Sequence, residues 1–213
     1  KMRKIHIVTA LSRLNLIEKL ISHYKEMNII WHPILLYDEY LLIDKFILEN
    51  NSWIIPYIIF ELSNNENSFR IGYLKKNLFI ENNLHVDEDY YWILDDDDMV
   101  EKETVDYIRN LDDDVIFISL KRGDNIPDGV PPLRRYPIFQ LIASPENIYI
   151  GNVSQQQYIV KGKIFKMLKF DIDNHAADGV VAVWLKSNFA VRYEPQLYAL
   201  FNYFEKGRWN INK

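Results

Sequence analysis

The chain has no cysteine among its 213 residues, which excludes disulfides, thiolate zinc sites, iron–sulfur clusters and a cysteine nucleophile. Glycine is scarce, with 7 in all and the first at Gly72. No Walker A or G-x-G-x-x-G pattern occurs, and the first strand-like segment is not followed by a glycine-rich phosphate loop. No apolar run approaches the ~20 residues of a membrane span, because the stretches 29–37 and 53–60 are broken by His32, Pro33 and Pro56. Positive charge is not in excess either. Lys plus Arg number 25 against 30 Asp plus Glu, a net of −5, which argues against a general nucleic-acid binder. The opening residues run into a strand-like segment with no signal-peptide core. A cytoplasmic protein without a membrane span is expected.

Apolar residues make up 48% and charged residues 26%, which is ordinary globular usage and excludes a disordered or fibrous chain. Aromatics stand at 14%, enough to line pockets or thicken a core. Strand-like runs (Ile5–Ala10, 29–37, 53–60, 90–94, 115–120) alternate with helical spacing over 14–27, 69–82 and 102–111. This alternation predicts an α/β domain with a mixed, mainly parallel central sheet flanked by helices. A segment from Gly123 to Pro137 carries four prolines and reads as an excursion between two halves of one domain, about 3–120 and 121–213. Later come short strand-like pieces at 148–150, 158–160 and 189–193, and a helix over about 178–186.

The most informative segment is YYWILDDDDMV, where five apolar residues end in Asp95, Asp96, Asp97 and Asp98. Adjacent carboxylates repel one another and are held together cheaply only in water or around a cation. In extended geometry alternate residues share a face, so Asp95 and Asp97 are expected to converge on one ion. Oxygen ligands favour Mg²⁺ or Mn²⁺. A second run, Asp112–Asp114, precedes its strand. Ligands of open α/β sheets gather at the carboxyl ends of strands, so that run reads as a solvated turn.

Other metal readings fail on spacing. An EF-hand counted from Asp95 would need Gly and Glu where Val100 and Asp106 stand. An acylphosphate-forming phosphatase would need Thr at Met99 and an early position in the chain. A sugar-nucleotide pyrophosphorylase would be expected to carry glycines where Thr9–Arg13 stand.

A first strand ending in TALSR, a Lys/Asn-bearing helix and a hydrophobic strand closed by DxD resemble a GT-A glycosyltransferase over most of residues 3–120. The Ile/Tyr/Asn-rich style is similar to glycosyltransferase domains of large chlorella-infecting viruses. The resemblance implies that Thr9, Ala10, Leu11, Ser12 and Arg13 line a nucleoside pocket with Asp38 beside it, and that Lys75, Lys76 and Asn77 approach the base. It implies that Asp95 faces the ribose with Asp96 assisting, while Asp95, Asp97 and Asp98 hold the divalent metal. In the second half, FDIDNHAADGVVAVWL resembles the segment that carries the base of inverting members, which makes Asp178 the catalytic residue and leaves Asp171 and Asp173 as fallbacks. Asp178 is also placed to cap the following helix, whose amides would favour its ionised form.

The tail FEKGRW departs from the processive QxxRW signature at Glu205, and no late histidine but His175 offers a third metal ligand. The implied activity is transfer of a sugar from a nucleoside diphosphate, expected to be UDP, to a glycan or glycoprotein hydroxyl. The alternatives are a metal-dependent sugar nucleotidyltransferase and a non-catalytic nucleotide- or sugar-binding domain. Bland readings stand beside sharper ones: His6 and His23 as core or surface residues, Arg134 and Arg135 as solvated cations or partners of a diphosphate, Gln155–Gln157 as loop decoration or hydrogen-bond partners of a sugar acceptor.

Overall fold

Strand β1 (Ile5–Ala10) is buried on both faces and pairs in parallel with β2 (Ile30–Leu36) on one side. The computed structural model describes residues 3–43, 51–61, 68–122 and 140–201. The expectations for the proline-bearing excursion, for Arg134 and Arg135, and for the FEKGRW tail lie outside those residues. The remaining strands are β3 (Tyr57–Ile59), β4 (Tyr90–Ile93), β5 (Met99–Val100), β6 (Val115–Arg122), β7 (Gln140–Leu141), β8 (Tyr158–Lys161) and β9 (Val191–Phe201). They form one sheet in the order β3-β2-β1-β4-β8-β6-β9-β5, with β7 also on β6. Only β5, β7 and β8 run against the other six, so the sheet is mixed and mainly parallel, as the alternation predicts.

One placement departs from a simple βαβ reading. β4 and β6 are not neighbours, because β8 is inserted between them, antiparallel to both. A single sheet therefore takes strands from both sides of the 123–139 segment.

The two-residue period of the strands divides the core. Ile5, Ile7, Trp92, Ile116 and Ile118 face helices α1 (Ile17–Tyr24) and, later in the chain, the helix at Lys102–Arg109. Val8, Tyr91, Ile93, Val115 and Phe117 face the helices at Ser68–Asn82, Gly162–Phe165 and Ala177–Asn188. With the short helix α2 (Tyr37–Leu41), these are α3 (Ser68–Asn82), α4 (Lys102–Arg109), α5 (Gly162–Phe165) and α6 (Ala177–Asn188). Among the described residues, no helix is long and apolar enough to cross a membrane.

Pro56 cuts the strand expected over 53–60 down to Tyr57–Ile59, with an isolated bridge at Ile54. Residues 148–150 turn instead of extending. α5 starts directly under the 86–89 turn, where a Cβ on Gly162 would lie 2.1 Å from the Val86 carbonyl oxygen. Gly162→Ala should therefore lower stability by about 3 kcal/mol, the upper end for overpacking, as read by urea denaturation.

His6 and His32 meet on the α3 side of the sheet. Their Nδ1 and Nε2 atoms are 2.9 Å apart, the rings stack, and His6 also stacks on Tyr91. Burial lowers the pKa of His32 to about 3, with repulsion from His6 adding to it. Burial also lowers that of His6, against the opposing pull of Asp89. Both rings are thus neutral in the fold at neutral pH, while the unfolded chain takes up protons below about pH 6.5. The pair's stability is complete above that value and is lost as pH falls below it, for His32 down toward about 3, by up to ~1.4 kcal/mol per pH unit for each ring. Melting temperatures of His32→Gln should accordingly fall less between pH 6.5 and 5 than those of the wild type.

Candidate active site

The turn after β1 and the turn after β4 are joined by one carboxylate. Asp96 Oδ2 accepts hydrogen bonds from the Ser12 backbone N–H (2.7 Å), the Ser12 hydroxyl (2.9 Å) and the Arg13 backbone N–H (2.8 Å). The Arg13 guanidinium then bridges the run, with Nη1 3.0 Å from Asp96 Oδ1 and 2.7 Å from Asp97 Oδ2.

β4 ends at Ile93, and residues 95–98 form a turn closed by Asp98 N–H on the Asp95 carbonyl (3.1 Å). The extended geometry that would have put Asp95 and Asp97 on one face is therefore lost. Asp98 is 1% exposed, and its carboxylate accepts from the Asp95 N–H (2.9 Å) and from Gln156 Nε2 (2.6 Å). Burial pushes its pKa well up, and repulsion from Asp95 and Asp97 adds to this. Burial also raises Asp97, against the pull of Arg13.

The glutamine triplet is not decoration. Because β8 runs antiparallel to β4, the residues before it arrive at the carboxyl end of β4. There they form a 3₁₀ turn at Gln155–Gln157 whose side chains are all buried. Gln155 Nε2 donates to Asp95 Oδ1 (2.6 Å), and Gln156 Nε2 reaches Asp95 Oδ2 as well (3.1 Å). Gln157 turns away to the Ile118 carbonyl.

α3 supplies the cations. Lys76 Nζ bonds Gln155 Oε1 (2.8 Å) and Asp95 Oδ1 (3.2 Å), and lies 5.3 Å from the Tyr73 ring centre. Lys75 Nζ bonds the Leu11 carbonyl and Glu39 Oε2, both at 2.6 Å. Burial lowers the pKa of Lys75, while Glu39 opposes that shift. Asn77 points elsewhere: its amide clamps the backbone of Phe170, donating at 2.7 Å and accepting at 2.9 Å. Asp38 is exposed in the first turn of α2, and its neighbour Glu39 reaches the cleft instead, also accepting the Leu36 N–H (2.7 Å).

Asp178 opens α6 across the cleft from Asp95. It is not the cap: the N-cap position is Ala176, and Asp178 Oδ1 accepts from the Gly179 N–H (2.9 Å). Burial raises its pKa, opposed by that amide, Lys76 and the Ser154 side chain. The expected depression by helix-start amides is outweighed by desolvation. Asp171 and Asp173 are exposed, and Asp173 pairs with Arg70.

These groups enclose a cleft of 330 Å³ at the carboxyl ends of β1, β2 and β4, which is within the range of small-molecule sites. Ala10, Leu11, Ser12, Arg13, Lys75, Lys76, Asp95, Asp96 and Asp178 line it, whereas Asp97 and Asp98 do not. Thr9 is buried beneath, receiving the indole N–H of Trp31. The sequence alone gave no reason to single out Glu39, Tyr73 or Ser154, which also face the cleft. Among the described residues, no three His, Cys, Asp or Glu side chains are disposed to hold a metal ion. Arg13 and Lys76 instead stand against the carboxylates, so the acidic run as arranged does not fit a divalent cation.

No protein-family model matches the chain, and no curated protein matches it by sequence. Among solved structures, 4-diphosphocytidyl-2C-methyl-D-erythritol synthase from Anaerococcus prevotii DSM 20548 superposes with a TM-score of 0.51 and 12% identity, over 97% of this chain and 92% of that one. A second structure of 4-diphosphocytidyl-2C-methyl-D-erythritol synthase gives 0.47 and 8%, over 98% and 94%. The first likeness shows a shared α/β fold with a mainly parallel sheet flanked by helices. That likeness does not show a glycosyltransferase or a viral source.

Asp98 binds its proton more tightly in the folded chain than in the unfolded one, which ionises near pH 4. Its stability contribution is present below that pH and is lost as pH rises toward the folded pKa. Asp98→Asn keeps the acceptor oxygen and removes the charge. Its melting temperature should exceed that of the wild type by a few degrees at pH 8, with the gain shrinking toward pH 5.

Proposed function

We propose that this chain is a nucleotide-dependent transferase whose nucleotide enters the cleft at the ends of β1 and β4. The observation that carries this reading is the convergence there of Lys75, Lys76 and Arg13 with Asp178 on the far wall, in a cleft of 330 Å³. Oriented cations in a partly dry site can offset the charge that grows on phosphate oxygens during transfer.

The fold likeness supports nucleotidyl transfer, since the neighbour's name describes synthesis of a diphosphocytidyl compound. In that reaction class, a phosphate oxygen of a phosphorylated sugar or polyol attacks the α-phosphorus of a nucleoside triphosphate and pyrophosphate leaves. The turn after β1 has no glycine, and its amides at Ser12 and Arg13 are engaged by Asp96. The phosphates would therefore meet lysine side chains rather than a backbone cradle.

A second reading, sugar transfer from UDP-sugar to an acceptor hydroxyl, is favoured by Asp178. Its half-buried carboxyl, with a raised pKa, suits a base that takes the acceptor proton while UDP departs.

Two product assays separate these readings. With CTP or UTP and a panel of sugar and polyol phosphates, pyrophosphate should form, and Lys76→Met should slow it by roughly 10²–10³-fold. UDP release from UDP-sugars, lost by ~10²–10⁴-fold in Asp178→Asn, would move the assignment to sugar transfer. Absence of both pyrophosphate and UDP across the two panels would overturn the transferase reading.

A further inference from the structure

The four carboxylates at 95–98 are compensated from within the chain. We propose that Arg13 is the resident counter-ion of this run, standing where a divalent cation would otherwise be drawn, and that the cleft takes its nucleotide without a metal. The second clause rests on the transferase reading; the first does not.

The Arg13 side chain is 13% exposed and those of Asp96 and Asp97 are 2% and 5% exposed, so the three charges meet largely out of water. The guanidinium keeps its charge at any working pH. It is also held in place by the backbone, because the Arg13 N–H donates to the same Asp96 carboxylate that its guanidinium approaches. A cation arriving between Asp96 and Asp97 would have to expel this group and leave a positive charge without those partners, which is costly at a buried site.

The other two carboxylates are also engaged. Lys76 lies on Asp95, and its side chain is 6% exposed. Gln156 spans Asp95 and Asp98 through one amide nitrogen. All four carboxylates thus have a named donor or cation, drawn from three separate segments of the chain. Each of these contacts would be disturbed by gathering Asp95, Asp97 and Asp98 around one ion.

Removing Arg13 should turn this arrangement into a cation site. One unit of positive charge a few ångströms from a carboxylate pair corresponds to a change in Mn²⁺ affinity of roughly 10- to 1,000-fold. The test is titration of the metal-free protein with Mn²⁺, followed by electron paramagnetic resonance, with no nucleotide present. The wild type should bind Mn²⁺ only in the millimolar range, and Arg13→Gln should bind it at least about tenfold more tightly. Micromolar Mn²⁺ binding by the wild type that disappears in Asp97→Asn would overturn the proposal, as would an Arg13→Gln protein that is folded and binds Mn²⁺ no better. Should Arg13→Gln fail to fold, the wild-type and Asp97→Asn titrations decide alone.

Calorimetry of CTP and UDP completes the test. Equal affinities in EDTA and in Mn²⁺ are expected, and binding that requires Mn²⁺ would overturn the metal-free clause. If neither nucleotide binds under either condition, the transferase reading falls and the metal-free clause with it, while the Mn²⁺ titration still judges the counter-ion.

Discussion

The hydrogen bonds converging on Asp96 fix the relation between the two strand ends on which the cleft depends. β1 and β4 are parallel neighbours, so their carboxyl ends lie side by side, and one carboxylate crosses from the second turn to the first. The amides of Ser12 and Arg13 point at Asp96, which gives the turn its shape without the glycines that usually let a backbone wrap an anion. The acidic side chain serves as an internal anion, and the positions of Arg13, Leu11 and, through the Leu11 carbonyl, Lys75 follow from it.

Desolvation acts in opposite senses in two parts of the same sheet. On the α3 side it keeps His6 and His32 neutral, and at the ends of β1 and β4 it pushes Asp97, Asp98 and Asp178 toward their neutral forms. The histidines therefore weaken the fold in acid and the buried carboxyls weaken it as pH rises. This is the pattern expected when burial outweighs ion pairing at both places.

Much of the architecture was legible in the sequence because it rests on period and composition. The β-branched run at 5–10, the YYWI strand and the helix over 68–82 appear close to where the pattern places them. The direction of β8 was not legible: four residues, YIVK, carry no mark of the partners they choose. For that reason Gln155–Gln157 looked like a loop, although the antiparallel pairing delivers them to the acidic run. Asp38 and Glu39 show a finer limit. One residue of a helix turns the side chain by about 100°, and the outcome depends on where a five-residue helix begins. The place of 95–98 after a strand predicts extended geometry, but the hydrogen bond from Asp98 N–H to the Asp95 carbonyl closes the run into a turn. Clustered charge was visible in the sequence; the side chains that answer it come from positions 13, 76 and 155–156, which no local pattern connects.

The insertion of β8 has a consequence for how the chain assembles as it is made. β4 and β6 are separated by only 21 residues, from Ile93 to Val115, yet neither has its central partner until residues 158–161 exist. A nascent chain that has produced β1 through β6 holds two strands with open hydrogen-bonding edges facing a gap one strand wide. Closing that gap requires contacts as distant in sequence as Tyr90 to Lys161 and Val115 to Val160, and such non-local pairing slows folding and exposes edges to other chains meanwhile. The same late strand brings Gln155 and Gln156 to Asp95 and Asp98, so the acidic turn acquires its amide partners as the gap between β4 and β6 closes. Asp96 and Asp97 meet Ser12 and Arg13 once β1 and β4 pair, whereas Asp95 and Asp98 gain their glutamine partners only with β8.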